Sequence, residues 1–173
     1  MLLLCLLLCT IQPADTVYTV ILEGGTVYDG LGNAGTVADV AILGDRIAEI
    51  GDLREARAGL RLDVAGLAVV PGFIDIHSHA DGSTPENSGI FRHPLAENYV
   101  RQGVTTAIGG PDGGSPLPVG EYLARFDLTP ASINFGTLAG HNTVRRAAMG
   151  NANRAPTADE LAAMKALVEQ AMQ

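Results

Sequence analysis

Cysteine is confined to the first nine residues, where Cys5 and Cys9 are the only two. If that stretch is removed as a leader, no disulfide framework, thiolate metal site or cysteine nucleophile is available to the rest. Tryptophan is absent, and aromatic residues make up 5% of the chain. Lysine occurs once, as Lys165. The glycines at 109, 110, 113 and 114 therefore lack the Lys that a phosphate-binding loop needs. Positive charge is scarce: 11 Lys and Arg stand against 19 Asp and Glu, for a net charge of -8. That balance argues against nucleic acid and anionic membrane surfaces, which select clustered cations. Long apolar runs are also missing. Residues 2–8 are leucines broken only by Cys5, far short of the about 20 residues a membrane helix requires.

The leucine run fits the apolar centre of a secretory leader, with cleavage near Ala14, although no Lys or Arg precedes it. The expectation is a leader over residues 1–14 and an exported, periplasmic protein. A cytoplasmic location is the alternative, with a buried N-terminal strand in place of the leader. What remains is rich in apolar residues and glycine, 21 in all among 173 residues. Such a chain can bury a real core, and its charge is too sparse for disorder.

Residues 16–70 read as short strands between glycine turns. TVADVAIL (36–43) faces RIAEI (46–50) across Gly44-Asp45, a Gly-X hairpin signal. LDV (62–64) and LAVV (67–70) continue the β character across Ala65-Gly66. The expectation is a small antiparallel sheet that needs partner strands to close a sandwich. After Pro71-Gly72 the rhythm changes to strand–helix alternation. FIDIHS (73–78), VTTAI (104–108) and SINFGTL (132–138) are strands; PLAENYVRQ (94–102), VGEYLARF (119–126) and VRRAAM (144–149) are helices. Strands about 30 residues apart with helices between them predict an α/β fold with a parallel sheet or barrel. Thr157 and Glu160 have capping-box spacing and open a last helix. Three parallel strands and an unfinished crossover predict the N-terminal portion of a larger protein; a compact half-domain is the alternative.

The chemistry centres on VVPGFIDIHSHAD (69–81). Residues two apart on a strand share a face, so Asp75, His77 and His79 point one way and Ile74, Ile76 and Ser78 the other. The apolar face is expected to pack against helices. The two imidazoles fall at the C-terminal end of the strand, where sites form in parallel α/β folds. They either share a divalent metal or are satisfied polar residues at a strand end. Asp75, one pleat below, is placed to orient an imidazole N–H. His141 follows the third strand and reads either as a substrate or supporting contact or as a structural hydrogen bond. Arg145 reads either as a fork for a substrate carboxylate or as part of a solvated helix face.

GGTVYDG, DVAILGDRIAEIG and VVPGFIDIHSHAD, in that order, resemble the start of the amidohydrolase superfamily. RQGVTTAIGG (101–110), GHNTVRRAAMG (140–150) and the PTADEL helix are similar to its N-acyl-D-amino-acid deacylase, or D-aminoacylase, branch. The resemblance implies an incomplete (β/α)8 barrel of TIM type over residues 71–173, preceded by part of a β-sandwich over 15–70. It also implies one or two divalent metals, usually zinc, held in part by His77 and His79. The activity implied is hydrolysis of a non-peptide amide on a small substrate such as an N-acyl amino acid. The proton-shuttling Asp and further His ligands of the family are expected beyond Gln173.

Many members of the superfamily bridge two metals with a carbamylated Lys, whereas D-aminoacylases use a Cys after the second strand. Counting from GVTT puts Asp112 at that Cys position. It is either a metal ligand or a turn former in Pro-Asp-Gly-Gly. The rival readings are a cyclic amidohydrolase of the dihydroorotase or hydantoinase kind, and an inactive fragment lacking most of the site.

Overall fold

Residues 16–173 are described by a computed structural model. The leader expectation, with Cys5, Cys9 and the cleavage near Ala14, lies outside the described residues. The chain divides into two units, with the boundary between Pro71 and Gly72.

The first unit is a five-stranded sheet. Its strands are β1 (Val17–Val27), β2 (Thr36–Leu43), β3 (Arg46–Gly51), β4 (Arg57–Asp63) and β5 (Ala68–Val69). β2 pairs antiparallel with both β1 and β3. The Gly44-Asp45 hairpin forms as expected: Gly44 takes φ +63, the positive angle that the first position of a Gly-X loop demands.

The expectation of an antiparallel sheet fails at β4 and β5, which both run parallel to β1. Two local features explain this. Residues 52–56 cross back instead of reversing, and Leu53 drops into the core beside Tyr18, Ile21 and Ala41. The crossover is latched by Asp39, whose carboxylate accepts from the N–H groups of Leu53 (3.0 Å) and Gly24 (2.8 Å). Arg61 adds bonds to the carbonyls of Leu53 and Ala56 and to the Glu23 carboxylate. The turn at residues 64–67 then sits opposite a bulge between Leu22 and Gly25 of β1. That bulge gives β1 the slack to keep both segments on one edge.

The second unit holds three parallel strands in the order β6 (Phe73–Asp75), β7 (Val104–Gly109) and β8 (Asn134–Thr137). Between β6 and β7 lie the short helices α1 (Gly89–Arg92) and α2 (Glu97–Val100). α3 (Val119–Leu123) leads into a 3-10 turn before β8. α4 (His141–Met149) and α5 (Ala158–Ala171) follow. This is the α/β alternation read from the sequence.

Ala80, Ile90, Ala96, Ala107 and Ile133 form the core. Phe91, Tyr122, Phe126 and Phe135 pack ring on ring, with Phe91 and Phe126 centroids 4.5 Å apart. α2 is shorter than its sequence pattern because Ala96 sits at φ +43, a left-handed angle that blocks an earlier helix start. The capping box of α5 forms: the Thr157 hydroxyl accepts from Glu160 N–H, and the Glu160 carboxylate accepts from Thr157 N–H.

Candidate metal centre

β6 ends sooner than FIDIHS suggests. The Asp75 carboxylate accepts the backbone N–H of His77 at 3.0 Å, a local turn that competes with continued strand. This corrects the expectation for Asp75: it holds the His77 backbone and not an imidazole N–H. Ile74 and Ile76 are exposed, so no helix of the described residues covers that face. Once the chain turns at Asp75, Ser78 and Ala80 take the inward positions.

Beyond the turn the chain is pinned at alternate residues. Ser78 N–H donates to the Ile108 carbonyl of β7, 2.9 Å away. The Ser78 hydroxyl is buried, meets the Tyr99 hydroxyl at 2.7 Å and accepts from Ala80 N–H. The Ala80 carbonyl in turn accepts from Ile90 N–H and the Ser88 hydroxyl. With Ser78 and Ala80 anchored inward, His77 and His79 are presented outward together. Their ring centroids are 5.7 Å apart, inclined at 51°.

Asp112 reaches the same place from the loop after β7. The Pro-Asp-Gly-Gly turn forms, with Gly110 and Gly113 at positive φ. One Asp112 carboxylate oxygen lies 3.4 Å from His77 Nε2, and the other 3.1 Å from His79 Nε2. One donor atom from each of the three residues lies within 4.8 Å of the others. Their side chains are about two-thirds exposed, at 64%, 67% and 65%. Turn former and neighbour of the histidine pair are therefore compatible roles for Asp112.

The loop carrying Asp112 is docked on the start of α4. The Gly113 carbonyl accepts from the N–H groups of Asn142 and Thr143, and Asn142 Nδ2 donates to the Asp112 carbonyl at 3.2 Å. Ser115 exchanges bonds with Thr143 and accepts from Gly140 N–H. His141 is the first residue of α4, exposed, and outside the three-residue cluster. Arg145 donates to the carbonyls of Ala152 and Arg154 at 2.8 and 2.7 Å. Its guanidinium thus secures the loop before α5.

Sequence reasoning placed Ser78 on the inward face but assigned no role at the site to Tyr99, Asn142 or Asp81. The Asp81 carboxylate is half-buried, and burial raises its pKa above the usual value. The Thr137 hydroxyl, the N–H groups of Asp81 and Gly110 and the His79 ring act in the opposite direction. A cavity of about 420 Å³ opens beside His79, walled by Ile90, Ala96 and Tyr99, with His93 and Asn98 also lining it.

No protein-family model matches the chain. It is 38% identical to a D-aminoacylase of Alcaligenes xylosoxydans xylosoxydans over 93% of its own length and 36% of that protein. A solved D-aminoacylase, described by its binuclear metal centre, superposes with a TM-score of 0.80 at 37% identity, covering 90% of this chain and 36% of that one. An N-acyl-D-glutamate deacylase from Bordetella bronchiseptica, solved with zinc and a phosphonate inhibitor, gives 0.80 at 32% identity with the same coverages. The chain is thus a homologue of these deacylases and spans about a third of their length.

Proposed function

We propose that this homologue of the N-acyl-D-amino-acid deacylases supplies the His77, His79 and Asp112 corner of a metal-dependent amidohydrolase site. The observation that carries the reading is the convergence of three donor atoms within 4.8 Å from two separate strand ends. Two imidazole nitrogens and one carboxylate oxygen, with no sulfur, form a set that suits zinc and leaves room for other ligands. A divalent metal held there supplies Lewis acidity to the amide carbonyl and lowers the pKa of water.

The chain's own residues do the holding. Ser78 and Ala80 lock the strand end so that both rings face one point, and Asn142 and Gly113 fix the loop that brings Asp112. The substrate class is a small N-acyl amino acid. Three sequence relatives at 34–38% identity favour it over a cyclic amide, being named D-aminoacylase, N-acyl-D-aspartate deacylase and N-acyl-D-glutamate deacylase. His141 stands at the start of α4 on the same side of the sheet as the other strand-end loops and is kept as a substrate contact. Arg145 is kept as a support for the loop it already bonds.

The three parallel strands of the second unit are read as the first strands of a (β/α)8 barrel, and the first unit as part of a β-sandwich. Residues 1–14 are read as a leader and the protein as exported. Sequencing the N-terminus of the protein recovered outside the cytoplasm tests this; an intact Met1 in a cytoplasmic product would contradict it. The activity is tested by release of free amino acid from N-acyl-D-amino acids with and without a chelator. Zinc-restorable hydrolysis that His77→Ala removes is expected, and chelator-insensitive hydrolysis would refute the reading.

A further inference from the structure

The Asp81 carboxylate touches the ends of two strands besides the one it follows. It leaves the segment after β6, two residues beyond His79. It lies over Gly109, the last residue of β7, so closely that a Cβ there would stand 2.5 Å from the carboxyl carbon. It accepts the hydroxyl of Thr137, the last residue of β8, at 3.3 Å. Gly110, the next residue on the β7 side, presents its N–H to the same carboxylate and lies two positions before Asp112. One side chain therefore joins the segment holding the histidine pair to the loop holding the third donor.

Its position explains two sequence features that the metal reading leaves unused. Gly109 ends β7, and its missing side chain lets the Asp81 carboxylate rest on the backbone there. Thr137 is a β-branched residue at the end of β8 whose hydroxyl has a partner in another loop. Neither residue is one of the three donors.

We propose that Asp81 is a positioning residue that clamps the C-terminal ends of β6, β7 and β8 and thereby sets the spacing between the His77/His79 pair and Asp112. This rests on the metal reading of those three residues. The carboxylate acts through the backbone: Asp81 fixes the segment from residue 79 to 81 on one side and residues 109–110 on the other. Removing it lets the Asp112 loop drift from the two rings while each donor stays chemically intact.

Zinc affinity and the visible spectrum of the cobalt(II) form test this, with circular dichroism to confirm the fold. Asp81→Ala is expected to weaken zinc binding by about 10–100-fold, the range seen when a supporting partner of a metal ligand is lost. The cobalt bands should shift because the donor geometry changes. Asp81→Asn, which keeps an acceptor for Thr137, should recover part of the affinity. Gly109→Ala should mimic Asp81→Ala by pushing the carboxylate away, and the double variant should be far less than additive. Should Asp81→Ala unfold, Thr137→Val, which deletes one hydroxyl, carries the same test. Zinc affinity within about twofold of the parent and an unchanged cobalt spectrum in folded variants would overturn the proposal. If His77→Ala also leaves zinc binding intact, the metal reading itself fails; if only His77→Ala abolishes it, the failure belongs to Asp81 alone.

Discussion

Ser78 lies between two exposed imidazoles and is itself 2% exposed. Its hydroxyl serves Tyr99 and Ala80 at once, so truncation strands two polar partners. Ser78→Ala is expected to cost about 1–3 kcal/mol in urea unfolding and to loosen zinc binding as the rings lose their common aim. An unchanged unfolding midpoint would mean that the Tyr99 contact carries no weight. The sequence showed the histidine pair because alternation along an extended chain is a local rule, and Ser78 followed from it as the inward residue. Asp75 was misplaced for an equally local reason. An Asp two residues before a free N–H can close a turn on its own backbone, and here that option won over reaching a ring. Asp81 and Asn142 left no local signal, because their partners lie 56 and 30 residues away.

Among the elements, the last helix was the most legible, because its start is written within four residues. Thr157→Ala should cost about 1 kcal/mol of stability through loss of the cap. Arg154 above all, with the Thr157 N–H, holds the Glu160 carboxyl down to about 2, from an ordinary 4.5. A depressed folded-state pKa means that this contribution is complete above pH 4.5 and is lost as pH falls towards 2. Glu160→Gln should flatten the acid titration of helix content over that window; an identical acid profile in the variant would contradict the assignment. The β4 direction was the least legible element. Strand-forming residues announce a strand but not its neighbour, and the parallel pairing depends on Asp39 gripping residue 53 across the crossover. Asp39→Ala leaves two N–H groups without their acceptor and should cost about 1–3 kcal/mol in denaturant unfolding. A neutral result would move the crossover's stability to Leu53 and Arg61.

Across the whole molecule, the alternation of strands and helices after Pro71 was readable because period and spacing survive without tertiary information. Which side chains the packed layers would bury was not: Ile74 and Ile76 look like core residues in the sequence and are exposed. The parallel sheet matters to function because its strand ends bring residues 77, 79 and 112 together from two loops. No helix among the described residues is long and apolar enough to cross a membrane. The most direct measurement is zinc titration of the chain and of His77→Ala, His79→Ala and Asp112→Ala by calorimetry. The account predicts binding by the parent and losses of at least about 100-fold in each histidine variant, beyond the usual cost of losing a mere supporting group, with a clear loss in Asp112→Ala. Zinc bound equally well by the parent and both folded histidine variants would contradict it.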